Sequence, residues 1–222
     1  MTNVAIDPTL DEILHGSPYV GYSYAYPHKT AYRELSPPVS LKSLWQTQRR
    51  DALFLYFHIP FCEFRCGFCN LFTISQPYAE MVSHYLSALR RQANVVRDSI
   101  ADANFARLAF GGGTPTFLDE RELEQLFDVA TNVMGVSSNQ IPAGMEASPA
   151  TVTREKLALM RQFGIDRISL GVQSFDDAEA GAMGRPQRRA DVQNALQLIR
   201  DSQFPTLNID LLYGGQGQTL PQ

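Results

Sequence analysis

The stretch LFLYFHIPFCEFRCGFCN, residues 53–70, joins an apolar and aromatic run to a loop that holds every cysteine of the chain. Residues 53–59 are almost continuously apolar, which is typical of a strand buried in a parallel sheet. The loop then places Cys62, Cys66 and Cys69 within eight positions. Clustered cysteines in odd number make a poor disulfide framework and a better metal site. The stretch therefore predicts a strand followed by a metal-binding loop.

Strand-like and helix-like patterns alternate through the rest of the chain. Four further strand-like runs lie at residues 106–110, 144–148, 167–172 and 206–212. Between them, Asp119 with Glu122 predicts a capping box, and Thr153 predicts the cap of a helix that Gly164 ends. This alternation predicts an α/β fold with parallel strands, either a barrel or a doubly wound sheet. No helical pattern follows the fifth strand, so the sequence predicts a core that is incomplete at its C-terminal end.

The first fifty residues differ from the remainder in composition. Residues 1–50 are rich in tyrosine, proline and small residues without a sustained period. We expect an irregular segment that packs over the domain, since its tyrosines carry large apolar area, with a loose leader as the alternative. Residues 51–222 are predicted to form the core domain.

Charge and hydropathy exclude several classes of protein. The formal net charge is −4 and the pI is about 5.6, whereas nucleic-acid-binding domains usually carry a basic excess. The N-terminus lacks the charged-then-apolar pattern of a signal peptide, and no apolar run reaches the length of a membrane span. We expect a cytoplasmic protein with neither a nucleic-acid partner nor a membrane span.

Polar residues follow the predicted strands at their carboxyl ends, where ligands bind in βα folds. After the cysteine loop comes GGGTP, residues 111–115, whose glycines predict close approach of a ligand and amides free to donate to it. The same edge is predicted to carry Glu146, Gln173 and Asp210. Arg185 follows in MGRPQ and suits a carboxylate. The sequence predicts one binding site along this edge.

The cysteine spacing allows three interpretations. Three thiolates on a short loop suit an iron–sulfur cluster in which one iron keeps an open position. A structural zinc site with His58 as fourth ligand is the second, and three buried cysteines without a ligand are the third. Clustered cysteines in a reducing compartment favour a metal.

Taken together, these residues resemble the radical S-adenosylmethionine superfamily and, within it, the oxygen-independent coproporphyrinogen III oxidase-like branch. The matching segments span residues 56–214 and read YFHIPFCEFRCGFCN, FGGGTPTFL, MEASP, RISLGVQSF, GRPQ and NIDLLYG. The resemblance implies a partial radical SAM (βα) barrel after an irregular N-terminal segment. It also implies an enzyme that cleaves S-adenosylmethionine reductively to a 5′-deoxyadenosyl radical.

The resemblance further implies roles for individual residues. A [4Fe-4S] cluster would be bound by Cys62, Cys66 and Cys69. The S-adenosylmethionine on that cluster would be bound by Tyr56, Gly112 and Glu146. A second S-adenosylmethionine, as in the porphyrinogen-oxidising members, would be bound by Phe68, Gly113, Thr114, Gln173, Arg185 and Asp210. The implied partners are a small-molecule substrate such as a tetrapyrrole and an electron donor such as flavodoxin or ferredoxin.

Two positions depart from the porphyrinogen oxidases. Those enzymes carry a further cysteine two residues after the third, where this sequence has Leu71. GVQSF, with Ser174, is more similar to the haem chaperones and methyltransferases of the branch. The chaperones also carry a histidine shortly after GR, whereas this sequence reads GRPQRR. Porphyrinogen oxidation, methyl transfer, haem delivery and an inactive remnant of a longer protein all stay open.

Overall fold

The computed structural model describes residues 33–214 and residue 218. The chain divides into two compact units, Met1–Val39 and Ser40–Gln222. Residues 33–39, the described part of the first unit, contain neither helix nor strand, and most of the predicted N-terminal segment lies outside the described residues. The second unit begins with a short helix, α1 (Leu41–Trp45). The domain boundary at residue 50 stays a prediction.

Seven strands lie in the described part of the second unit, in two parallel sheets. In chain order they are β1 (Leu53–Ile59), β2 (Phe61–Cys62), β3 (Ile74–Ser75), β4 (Phe105–Gly112), β5 (Ala143–Ala147), β6 (Arg167–Gln173) and β7 (Thr206–Leu211). The main sheet has the order β1-β4-β5-β6-β7, and β2 pairs with β3. All five strands predicted from the sequence are present in the main sheet, in which consecutive strands are neighbours.

Helices connect the strands of the main sheet. They are α2 (Ala79–Ile100), α3 (Glu120–Asp128), α4 (Arg154–Phe163), α5 (Asp177–Ala182) and α6 (Arg189–Asp201). The capping box of Asp119 and Glu122 is confirmed, since each side chain accepts from the other residue's backbone N–H. Thr153 caps α4, and Gly164 ends it with a φ of 104°, a conformation that favours glycine.

Alternation along the strands divides the main sheet into a buried and an accessible face. Apolar side chains of one face join those of the helices in a single core, to which β4 and β6 contribute Leu108, Phe110, Ile168, Leu170 and Val172. Each such side chain stabilises the fold by about 1.5–3 kcal/mol through burial. The intervening residues include Phe54, Tyr56, Arg107 and Arg167, which are exposed. The helices thus leave one face of the sheet for a ligand site.

The predicted α/β class with a partial parallel barrel is confirmed. Among the described residues the main sheet is open, with β1 and β7 as its two edges. No helix in the described ranges is both long and apolar enough to cross a membrane.

Candidate functional site

A cavity of about 240 Å³ lies at the carboxyl ends of the strands. Eleven of the twelve site residues predicted from the sequence line it: Cys62, Cys66, Phe68, Cys69, Gly112, Gly113, Thr114, Glu146, Gln173, Arg185 and Asp210. They come from five separate βα connections and strand ends, as expected for parallel strands that present their ligand-binding loops at one edge. The fold therefore brings the predicted residues to one place.

Tyr56 is the twelfth predicted residue and lies apart from the others. It lines a neighbouring cavity of about 440 Å³, which also contains Glu146 and therefore adjoins the first. Tyr56 is 47% exposed, and its hydroxyl lies 3.3 Å from His58 Nδ1. Its assignment to S-adenosylmethionine stays a prediction.

The cysteine loop is anchored at its base and at its tip. At the base, β2 and β3 pair Cys62 with Ser75. At the tip, the Gly67 N–H donates to the Met183 carbonyl at 3.0 Å. A Cβ on Gly67 would meet that carbonyl oxygen at 2.8 Å, and one on Gly184 would meet Gly67 N at 2.9 Å. Two glycines thus allow the cysteine loop to contact the segment that precedes Arg185.

Each thiol has a polar side chain beside it. The contacts are Thr114 Oγ1 to Cys62 Sγ at 3.6 Å, Arg185 Nη1 to Cys66 Sγ at 3.2 Å, and Thr73 Oγ1 to Cys69 Sγ at 3.8 Å. Burial raises the pKa of the Cys62 thiol, and the Thr114 hydroxyl opposes that shift. Donors around the sulfurs suit thiolates that bind iron, because they stabilise the charged form.

His58 does not have the environment of a zinc ligand. Its Nε2 lies 3.0 Å from the Phe72 carbonyl oxygen and its Nδ1 lies 3.3 Å from the Tyr56 hydroxyl, so both ring nitrogens have partners. Within residues 33–214, no three His, Cys, Asp or Glu side chains converge on a single-ion site. A cubane differs, because each cysteine binds a separate iron. The described geometry does not support the zinc interpretation with His58.

The glycine-rich turn has a different role from the one expected. The amides of Gly113 and Thr114 donate to the carbonyls of Ile59 at 2.7 Å and Phe61 at 2.8 Å. The Gly112 amide donates to Glu146 Oε2 at 3.0 Å. The prediction that these amides are free for a ligand was wrong, because the chain itself binds them. Sequence alone does not show that residues of β1, β2 and β5 supply those acceptors.

The glycines of this turn serve close packing instead. A Cβ on Gly111 would meet the Glu146 carboxylate at 2.9 Å, and one on Gly112 would meet the His58 ring at 2.6 Å. A Cβ on Gly113 would lie 2.9 Å from Cys62 Sγ. The missing side chains therefore leave room beside the turn for the Glu146 carboxylate, the His58 ring and the Cys62 sulfur.

Glu146 lies over the glycine turn at the end of β5. Burial raises the pKa of its carboxyl; the Gly112 amide opposes that shift, the Asp210 carboxylate adds to it, and His58 lowers it. The side chain remains accessible through the cavity. It can accept hydrogen bonds from an ammonium or hydroxyl group of a ligand.

Gln173 and Asp210 lie at the ends of the adjacent strands β6 and β7. Gln173 has a φ of 70°, which is unusual for a residue with a side chain, and the pairing of the two strands shifts there between Gly171 and Gln173. Asp210 accepts a hydrogen bond from Asn208 Nδ2 at 2.7 Å. Asp210 is exposed to the cavity, at the edge where the sequence predicted it.

Arg185 is a buried polar group of the cavity, with 7% of its surface exposed. Besides Cys66 Sγ, it donates to Gln187 Oε1 at 2.9 Å and to the Gly171 carbonyl. Its guanidinium also lies 5.5 Å from the centre of the Phe64 ring. These contacts hold it against the cysteine loop.

Several lining residues were not identified from the sequence. Glu63 is half-buried, and burial raises the pKa of its carboxyl while Ser148, whose hydroxyl lies 3.5 Å away, opposes that shift. Ser148 belongs to a buried network with Thr116 and Thr151, whose hydroxyls lie 2.6 Å apart. Glu63 directly follows Cys62 in the sequence, and this position next to a predicted ligand could have identified it as a lining residue.

Comparison with known proteins identifies the family. Residues 56–221 match the Radical SAM superfamily. The chain belongs to the radical SAM superfamily. The heme chaperone HemW of Bacillus subtilis (strain 168) is 35% identical over 168 residues, which are 74% of this chain and 43% of the relative. An oxygen-independent coproporphyrinogen III oxidase of Synechocystis sp. (strain ATCC 27184 / PCC 6803 / Kazusa) is 33% identical over 78% of this chain and 37% of the relative.

A solved structure supports the same branch of the radical SAM superfamily. The coproporphyrinogen III oxidase HemN from Escherichia coli superposes with a TM-score of 0.76 at 27% identity, over 96% of this chain and 48% of that one. The predicted resemblance is thereby confirmed. The radical SAM chain spans less than half the length of each of these three relatives.

Membership of the superfamily implies a [4Fe-4S] cluster and S-adenosylmethionine as cofactors. The residues present fit such a cluster, since three cysteines with polar neighbours line one cavity and glycines bring the loop against it. The cluster would be bound by Cys62, Cys66 and Cys69. Glu146 and the neighbouring polar groups would then face S-adenosylmethionine.

Proposed function

We propose that this chain carries the radical-generating part of an enzyme of the coproporphyrinogen III oxidase-like branch. The observation that supports the proposal is the single cavity that joins three cysteines to Glu146, Gln173, Arg185 and Asp210. When bound and reduced, the cluster supplies one electron that cleaves S-adenosylmethionine to methionine and a 5′-deoxyadenosyl radical, which abstracts hydrogen from a substrate. The chain's own residues bind and orient the cofactor and exclude water.

The polar groups suit the parts of S-adenosylmethionine by their chemistry. Glu146 accepts hydrogen bonds, so it suits an ammonium group or ribose hydroxyls. Tyr56, which lines the adjoining cavity with Glu146, and Gly112, whose amide donates to Glu146, are proposed to complete this first binding region. Arg185 has five N–H donors, of which three have partners, and the remaining two suit a carboxylate.

A second S-adenosylmethionine is proposed beside the first. It would be bound by Phe68, Gly113, Thr114, Gln173, Arg185 and Asp210, all of which line the same cavity as the cysteines. A tetrapyrrole is the substrate class that the relatives' names favour, and a flavodoxin or ferredoxin is the proposed electron donor.

Leu71 favours methyl transfer as a second candidate. It lines the cavity at the position where the porphyrinogen oxidases carry their further cysteine. Its apolar side chain offers neither a proton nor a thiolate there. Methyl transfer would release S-adenosylhomocysteine, which porphyrinogen oxidation does not form.

Haem delivery is a third candidate because a relative at 35% identity is a heme chaperone. The chain has Gln187 in the segment where the chaperones carry a histidine. A stoichiometric Soret band on haem titration would support this candidate, and its absence would remove it.

The first experiment measures cleavage of S-adenosylmethionine under anaerobic conditions. The reconstituted chain is incubated with dithionite and S-adenosylmethionine, and 5′-deoxyadenosine is quantified for the wild type and Cys66→Ala. Ser83→Ala, an exposed serine of α2, is the matched control. We expect product from the wild type and the control only. A wild type that holds a full cluster without forming product would contradict the proposal.

A further inference from the structure

The buried guanidinium of Arg185 has no anionic partner among the carboxylates of residues 33–214. None of the ion pairs in that range includes it, although 93% of its surface is covered by protein. A buried cation without a counter-charge costs free energy, so its usual partner is a carboxylate or an anionic ligand. Arg185 Nη1 lies 3.2 Å from Cys66 Sγ.

Gln187 holds this guanidinium in place. Its Oε1 accepts from Arg185 Nε at 2.9 Å. Its Nε2 donates to the carbonyls of Val172 at 2.7 Å and Ser174 at 3.3 Å, where β6 ends. The Gln187 backbone N–H also donates to the Arg185 carbonyl at 2.8 Å. The oxygen and the nitrogen of the Gln187 side-chain amide are therefore both hydrogen-bonded. The hydrogen bond from Arg185 Nε to Oε1 fixes the orientation of the guanidinium.

We propose that Gln187 is a positioning residue. By orienting Arg185, it directs a positive charge and an N–H donor toward the sulfur of Cys66, a proposed ligand of the cluster. The inference rests on the proposed cluster and adds to it a residue with no assigned role. A hydrogen bond from a cation to a ligating sulfur favours the more negative, reduced form of a cluster and raises its reduction potential. Gln187 thus helps set the potential at which the chain accepts its electron.

We predict that the reduction potential of the cluster falls when Gln187 loses its side-chain amide. Gln187→Met preserves length and approximate volume but removes the acceptor for Nε and the two donors to β6. We expect the equilibrium constant for reduction of the cluster to fall by about tenfold, which corresponds to a decrease of about 59 mV in the potential of a one-electron couple. Arg185→Met removes the charge itself and is expected to lower the potential at least as far.

The control is Gln197→Met, which makes the same substitution on the exposed surface of α6. The only side-chain hydrogen bond of Gln197 within the described residues runs to Asp201 at 2.8 Å. The midpoint potentials of the reconstituted proteins are measured by a redox titration monitored by EPR, with iron content determined for each. An unchanged potential in Gln187→Met, beside a lowered potential in Arg185→Met, would overturn the role of Gln187. Unchanged potentials in both would overturn the whole inference.

A second measurement needs no cluster and so separates this inference from the proposed function. In the apo-protein with isotope-labelled arginine, the Nε–H signal of Arg185 is identified by its loss in Arg185→Lys. We expect slow solvent exchange of this proton in the wild type and Gln197→Met, and fast exchange in Gln187→Met. Equal exchange rates in all three proteins would contradict the positioning role, even if a variant fails to assemble its cluster.

Discussion

Replacement of Gly113 by alanine tests how tightly the glycine turn packs against the cysteine loop. The added Cβ would lie 2.7 Å from the Phe61 carbonyl oxygen, 2.9 Å from Cys62 Sγ and 3.0 Å from the Ile59 carbonyl oxygen. Ordinary van der Waals contact begins at 3.4 Å, so the closest pair must separate by 0.7 Å, which is 3.4 Å minus 2.7 Å. Two of the three neighbours are backbone atoms and cannot move aside by a change of rotamer.

The turn itself has little freedom to retreat. Gly113 N–H donates to the same Ile59 carbonyl at 2.7 Å, and Thr114 N–H donates to Phe61 at 2.8 Å. Any shift that relieves the clash weakens these bonds or displaces Cys62. We therefore expect Gly113→Ala to lower the free energy of unfolding by about 1–3 kcal/mol, the usual cost of overpacking. We also expect it to reduce iron bound after reconstitution.

Gly181→Ala is the matched control for this substitution. Gly181 lies in α5, and a Cβ there would meet no atom within 4 Å. Alanine in a helix is favoured over glycine by about 0.5–1 kcal/mol, so this variant should be as stable as the wild type or more so. Urea unfolding and iron analysis of both variants provide the assay. If Gly113→Ala matched the control in stability and iron content, the packing argument would be refuted.

Two further predictions concern the ionisable side chains of Lys156 and Glu146. Lys156 Nζ donates to the Thr116 carbonyl at 2.8 Å and to the Thr151 carbonyl at 3.5 Å. Lys156→Met removes both hydrogen bonds and should lower the free energy of unfolding in urea by about 1–3 kcal/mol. The same substitution at the exposed Lys42 should leave it unchanged. An equal loss in both lysine variants would contradict the role of the buried contacts. Burial raises the pKa of Glu146 above its ordinary 4.5, so its contribution to stability is fully present below pH 4.5 and is lost as pH rises through the folded-state value. The stability of the wild type relative to Glu146→Gln should therefore fall as pH increases from 4 to 8, and a difference independent of pH would contradict the raised pKa of this carboxyl.

Local sequence determined which residues form strands and helices. Apolar runs and caps act over a few residues, so the five main strands, the capping box at Asp119 and the helix end at Gly164 were all predictable. The rule that parallel strands present their ligand loops at one edge then predicted that Glu146, Arg185 and the cysteine loop would share a site. The cavity confirms this grouping.

The tertiary structure decided which groups form hydrogen bonds and with which partners. The amides of Gly113 and Thr114 donate to carbonyls more than fifty positions earlier, and the Gln187 side chain donates to the carbonyls at the end of β6. Such contacts depend on strand register and side-chain rotamers across the fold, which no local pattern specifies. The sequence by itself therefore predicted the family and the strand edge that carries the candidate site, whereas the close packing around Cys62 and the hydrogen bond between Gln187 and Arg185 required the assembled sheet.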